Sequence, residues 1–222
     1  MHNEDELTFG TVPISTPTRD RAKKFTFTDD QAKAYNGLIK FINEPYNPKD
    51  FKRALIGPGG TGKTFLLKAL LQDCNIPFSE IGLSAPSHKA CRVLKNSIRG
   101  THCNVNTIQS DFGFKPNYDI EKFDINNVTF ASYGRIKIED YRLYIVDEAS
   151  MLNRSLVTYI DKMMKKYSIK LILCGDDAQI PPVNEKDSYA FKGVKSFRLT
   201  EIVRQDEDNP IRELTELLRN DV

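Results

Sequence analysis

The sequence predicts an α/β domain, a mostly parallel sheet with helices on both faces. Short apolar segments, "RALIG", "EIGLSA", "RLYIVDE", "KLILCGD" and "SFRLTEI", are separated mostly by stretches of helical periodicity. Continuous apolar strands alternating with helices mark a parallel sheet covered on both sides. The first of these strands runs directly into "GPGGTGKT", which opens the apolar helix "TFLLKALLQDC". One region breaks the alternation and reads as a small β-hairpin insertion.

Residues 1–24 are polar, carry Pro13 and Pro17 and end in "RDRAKK"; they are expected to form a flexible arm. A helix follows in "FTFTDDQAKAYNGLIKFIN", where Thr28 and Gln31 have the spacing of a capping box ahead of Ala34, Leu38, Ile39 and Ile42. The main α/β domain is expected over 25–113 and 138–222. The insertion is expected over 114–137, where short alternations and the pair Asn126-Asn127 replace helical spacing.

The chemistry starts at the glycine-rich stretch. Gly57, Gly62, Lys63 and Thr64 satisfy the spacing G-x-x-x-x-G-K-[ST], with Gly59, Gly60 and Thr61 inside it. Such a loop curls its N–H groups around phosphate, because glycine adopts backbone conformations that other residues resist. Lys63 then reaches the β- and γ-phosphates and Thr64 offers its hydroxyl to Mg²⁺, while the helix directs its positive end at the anion. ATP and Mg²⁺ are the expected cofactors.

A phosphate loop needs a metal carboxylate and a means of activating water. "LYIVDEAS" offers both at the end of an apolar strand: Asp147 for Mg²⁺ and Glu148 as general base. After the next strand, "CGDDAQIPPV" carries Gln179, a neutral hydrogen-bonding group for the γ-phosphate or its water. "LTEIVRQ" carries Arg204, whose permanent charge suits the same phosphate.

The helix expected from about Ser87 buries Ala90, Val93, Leu94 and Ile98. It also displays a basic stripe of Lys89, Arg92, Lys95 and Arg99. That stripe reads either as a solvated face or as a track for a nucleic-acid backbone.

Bulk charge decides neither. The 222 residues hold 32 Lys+Arg against 30 Asp+Glu, a net charge of +2, so any basic surface is local. No apolar run reaches membrane length and the start lacks the features of a signal peptide. A soluble cytoplasmic protein without a membrane partner is expected. The four cysteines include no C-x-x-C pair, which suits free thiols, and the spacings of His88, Cys91, His102 and Cys103 match no common zinc finger or ribbon.

The ordered series "GPGGTGKT", "SAPSHKA", "TIQS", "VDEAS", "GDDAQIPPV" and "LTEIVRQ" resembles the first RecA-like domain of superfamily 1 helicases of the RecD and Dda type, over about residues 25–222. The resemblance implies a P-loop NTPase fold and an ATP-dependent DNA helicase motor that moves on single-stranded DNA, 5′-to-3′ in the family; RNA remains open as a strand. It implies that Gln31 reads adenine, a role that competes with its place in the capping box. His88 and the main chain near Ser87 would contact the strand, beside Lys89 and Arg92. The insertion would correspond to the family's pin-bearing subdomain, with Pro116 and Phe130 upon it, although Phe130 reads equally as a core residue. A bacterial or phage-infected cytoplasm would suit such a protein.

Two departures stand out. Gln109 occupies "TIQS" where the family often has histidine, and a second RecA-like domain, expected in the complete protein, would follow "NPIRELTELLRNDV". Without it the chain is expected to hydrolyse ATP slowly. Two other readings remain open: a PhoH-like ATPase, and a nucleotide-switched module that grips nucleic acid without translocating.

Overall fold

The computed structural model describes residues 25–114, 124, 136–179, 182, 185 and 188–203. Helix α1 (Asp29–Asn43) begins with the expected capping box: the Gln31 N–H donates to Thr28 Oγ1 at 3.4 Å, and the Thr28 N–H donates to Gln31 Oε1 at 3.2 Å. Its far end is held by Lys170, whose ammonium donates to the carbonyls of Phe41 at 2.6 Å and Ile42 at 2.9 Å, and to that of Glu44.

Strand β1 (Lys52–Ile56) leads through the glycine-rich loop into α2 (Lys63–Asp73). Then follow β2 (Ile81–Ala85), α3 (His88–Ser97), β3 (Asn104–Thr107) and the one-turn helix α4 (Ile108–Asp111). Beyond residue 136 come β4 (Leu143–Val146), α5 (Arg154–Tyr167), β5 (Lys170–Gly175) and β6 (Ser196–Arg198). Among the described residues the strands form one six-stranded sheet in the order β3-β2-β4-β5-β1-β6, parallel at every pairing.

The side-chain period of two explains why both faces are apolar. On one face Leu55, Leu83, Ile145 and Ile172 pack with Leu38, Leu66, Leu70 and Leu94 of α1, α2 and α3. On the other, Tyr144, Val146, Leu171 and Leu173 pack with Phe112 and with Leu156, Ile160 and Met164 of α5. The α/β P-loop fold expected from the sequence is therefore present.

Two details differ from the expectation. Strand β3 has the polar sequence "NVNT" and lies at the sheet edge with Asn104 exposed; an edge strand needs no apolar run, so hydropathy did not mark it. Val93, expected inside, is 60 % exposed, and Cys91 takes the buried place on α3 with Leu94 and Ile98. The arm at 1–24 and nearly all of the insertion at 114–137, including Pro116 and Phe130, lie outside the described residues. Among the described residues no helix is long and apolar enough to cross a membrane.

Candidate nucleotide site and nucleic-acid face

Every strand is parallel, so all carboxyl ends share one edge of the sheet. In open α/β sheets this edge binds ligands. There β1 releases the glycine-rich loop, β2 leads to Ser87, β4 to Asp147 and Glu148, β5 to Asp176, and β6 to Leu199.

The loop's shape depends on its glycines. Gly60 (φ +85°) and Gly62 (φ +84°) occupy the left-handed region, which a side chain would disfavour. A Cβ at Gly57 would sit 2.6 Å from the Leu199 carbonyl. Thr61 is fully buried and its hydroxyl donates to Pro58 O at 2.9 Å, so it shapes the loop from within. Lys63 opens α2, and its ammonium donates to Gly57 O at 2.7 Å and Pro58 O at 3.0 Å. The lysine thus lies folded along the loop it serves.

The buried strand β4 delivers the acidic pair. Asp147 Oδ1 accepts the Glu148 N–H at 3.1 Å. Its pKa is pushed up to about 6, chiefly by burial and then by the neighbouring Glu148 carboxylate, with Lys63 opposing. A buried carboxylate beside a second carboxylate is a donor set that suits a divalent cation, which would neutralise both. Asp147 and the Thr64 hydroxyl are the residues here that fit Mg²⁺. Glu148 has φ +53°, a left-handed conformation that costs a non-glycine residue of order 1–3 kcal/mol and is concentrated at functional sites.

Gln179 stands in the turn after β5. The Asp176 carboxylate accepts the Ala178 N–H at 3.1 Å, and the Ser150 hydroxyl donates to Gln179 Oε1 at 3.2 Å. Ser150 therefore links the turn after Glu148 to the glutamine. Gly175 permits this approach: a Cβ there would lie 3.3 Å from Ser150 N and 2.9 Å from the Phe191 ring. Neither Ser150 nor Gly175 was singled out from sequence, because their roles arise from two strands being neighbours.

The chain beyond β6 runs beside the phosphate loop. Leu199 N donates to Ile56 O at 2.8 Å and Val203 N to Gly60 O at 3.0 Å, while Asp30 of α1 accepts from the Thr200 hydroxyl at 2.5 Å. Arg204 lies outside the described residues. Gln31 does two things at once. Its Oε1 completes the capping box, and its Nε2 donates to Thr61 O of the loop at 3.0 Å.

Ser87 caps α3 through a bond from the Ala90 N–H at 3.2 Å. Ser87, His88, Lys89 and Arg92 are all exposed, on the helix that leaves the same sheet edge as the phosphate loop. The exposed Val93 falls within this basic stripe.

The model of the AAA domain family matches residues 30–222. An uncharacterised protein of Acanthamoeba polyphaga mimivirus, R530, is 28 % identical over 217 residues, which are 87 % of this chain and 42 % of that protein. The ATP-dependent DNA helicase Pif1 of a Psychrobacter species is 24 % identical over 150 residues, 62 % of this chain and 21 % of that protein. A crystal structure of Pif1 helicase from Bacteroides, a double mutant, superposes with a TM-score of 0.59 at 23 % identity, covering 88 % of this chain and 47 % of that one. The same helicase in complex with ADP-AlF3 and single-stranded DNA gives 0.57 at 22 % identity, covering 89 % and 47 %. The fold is thus that of a Pif1 helicase domain, and the chain spans less than half the length of these proteins.

Proposed function

The chain belongs to the AAA domain family, and from that premise we propose that it is the ATP-binding and ATP-hydrolysing motor domain of a DNA helicase that translocates on single-stranded DNA. The observation that carries this reading is the meeting of Lys63, Asp147, Glu148 and Gln179 at one edge of the sheet, on a fold shared with a helicase captured with ADP-AlF3 and single-stranded DNA. Movement in the 5′-to-3′ sense and a second RecA-like domain in the complete protein belong to the same reading, on family resemblance.

The proposed chemistry divides among the chain's own residues. N–H groups of Gly57–Gly62 cradle the phosphates, and Lys63 leaves its loop carbonyls for the β- and γ-phosphates. Asp147 and Thr64 would hold Mg²⁺, which when bound neutralises charge on the phosphate oxygens. Water attacks the γ-phosphorus as its proton passes to the Glu148 carboxylate, and ADP departs with the former bridging oxygen. Gln179, steadied by Ser150, orients that water, and Arg204 stabilises the charge that develops. On the nucleic-acid side, Lys89 and Arg92 meet backbone phosphates while His88 lies against a base. Pro116 and Phe130 are assigned to the pin on family resemblance alone.

The test is calorimetric titration of ATP with Mg²⁺ into the chain and into Lys63→Ala, followed by an ATPase assay with and without single-stranded DNA in a form extended beyond Val222. Lys63→Ala should weaken binding sharply, since the point charge facing two phosphates is lost, and the strand should stimulate hydrolysis by the extended form. Equal affinity in the two proteins would refute the phosphate assignment. Hydrolysis indifferent to single strands would refute the translocating motor and favour a PhoH-like ATPase.

A further inference from the structure

The parallel pairing of β1 with β6, in which Ile56 stands beside Arg198, continues beyond both strands. Leu199 N donates to Ile56 O at 2.8 Å and Val203 N to Gly60 O at 3.0 Å, so the two chains advance together in register. Residues 199–203 form a strap along the phosphate loop. The strap is anchored to α1 at Thr200: Asp30 accepts the Thr200 hydroxyl at 2.5 Å and the Thr200 N–H at 3.2 Å. These two bonds, the hydroxyl first, hold the Asp30 carboxyl below its ordinary value. It is therefore a carboxylate acceptor at neutral pH.

A trans peptide unit points its C=O and its N–H in opposite directions, and the described residues contain no cis peptide bond. Fixing a carbonyl on one side of the loop thus turns the next residue's N–H to the other. The Gly57 and Pro58 carbonyls are held by the Lys63 ammonium, and these bonds end when the lysine turns to phosphate. The Gly60 and Thr61 carbonyls are held from outside the loop, by Val203 N–H and by Gln31 Nε2, each at 3.0 Å. The Thr61 and Gly62 N–H groups consequently face away from the strap and from α1. Gly60 (φ +85°) and Gly62 (φ +84°) flank these peptide units, which glycine leaves free to swing unless their carbonyls are held.

We propose that Asp30 and Thr200 are positioning residues for the phosphate cradle: by anchoring the strap they hold the Gly60 carbonyl outward and keep the Thr61 N–H turned towards the bound phosphates. Neither side chain touches the nucleotide in this arrangement. The inference rests on residues 57–64 being the phosphate site.

The experiment is calorimetric titration of ATP, and of inorganic tripolyphosphate as a base-free probe, each with Mg²⁺, into the full chain and its variants. Asp30→Ala removes both bonds to the strap and should weaken the two ligands by the same factor, about tenfold, the scale of one hydrogen bond to a charged group. Thr200→Val keeps the shape of an exposed side chain and loses only the hydroxyl. It should weaken both ligands in the same direction, and Thr200→Ser, which restores the hydroxyl, should bind them as the parent does. Asp29→Ala is the control, because Asp29 is exposed in the same first turn and shares the effect of negative charge at the start of α1 without touching the strap. Parental affinity in Asp30→Ala, an equal loss in Asp29→Ala, a loss confined to ATP, or failure of Thr200→Ser to recover what Thr200→Val loses would each overturn the proposal. Lys63→Ala separates the underlying reading: if it binds both ligands as tightly as the parent, or if the parent binds neither, the phosphate assignment itself fails.

Discussion

The Tyr144 hydroxyl donates to the Asp111 carboxylate at 3.0 Å, in an environment where both residues are fully buried. Asn106 Nδ2 supplies a further bond to Asp111 at 3.0 Å, and Lys137 donates to Ser110 Oγ at 3.0 Å. Tyr144 sits on β4, which leads to Asp147, Asp111 ends the short helix α4, and Lys137 lies ahead of β4 in the chain. Asp111 therefore ties β4 to α4 and β3, while Lys137 is held beside it through Ser110. Burial pushes Asp111 up to about 6 against the opposing bonds from Tyr144 and Asn106 and the charge of Lys137.

This gives a signed pH dependence. The folded state favours protonated Asp111, so its contribution is full below the ordinary value of 3.8 and lost as pH rises through about 6. The difference between those values corresponds to about 3 kcal/mol. Asp111→Asn keeps an acceptor for Tyr144 and does not titrate. In urea unfolding, its stability relative to the parent should rise by about that amount between roughly pH 4 and pH 7; a constant difference would show that Asp111 is ionised throughout.

Glu148 combines a catalytic assignment with a left-handed backbone. Glu148→Gly should raise stability by about 1 kcal/mol through relief of that conformation and abolish hydrolysis. Glu148→Gln should retain nucleotide binding and also lose hydrolysis. Turnover at the parental rate by the Gln variant in an extended form would remove Glu148 from the role of base.

Exposed Lys89 and Arg92 lie on α3 at the same sheet edge as the phosphate loop. Reversing both to Glu should weaken single-stranded DNA binding, by fluorescence anisotropy, and flatten its dependence on salt, because in the proposed track each would meet a phosphate. The control reverses Lys162 and Lys165, exposed on α5. Equal losses from the two pairs would reveal general electrostatics in place of a track.

Lys170 is 5 % exposed and binds carbonyls at the end of α1. Lys170→Met should destabilise the domain by about 2 kcal/mol, since buried carbonyls lose a charged donor, yet leave ATP affinity unchanged because the site lies at the opposite edge of the sheet. A loss of affinity at full stability would contradict that separation.

Local patterns carried much of this protein. The buried runs at β1, β2, β4 and β5, the cap at Thr28 and the spacing from Gly57 to Thr64 are all short-range features, and each is present in the fold as read. Where the chain departed from its pattern, the cause was a neighbour distant in sequence. The polar β3 is a strand because β2 lies beside it, and Cys91 holds the buried place on α3, its thiol 3.1 Å from Asn106 O, while Val93 is exposed.

Gln31 shows the division within one side chain. Spacing alone placed it in a capping box, since Thr28 and Gln31 need only one turn of helix to meet. That its other end would grip Thr61 depended on α1 packing beside the phosphate loop. The elements and the chemical groups at their ends were legible before folding, because hydrophobic periodicity and turn geometry act over a few residues. Tertiary structure alone decided which ends meet, placing Ser150 on Gln179 and Val203 on Gly60, because strand order arises from pairing between segments whose mutual contacts leave no periodic mark on either.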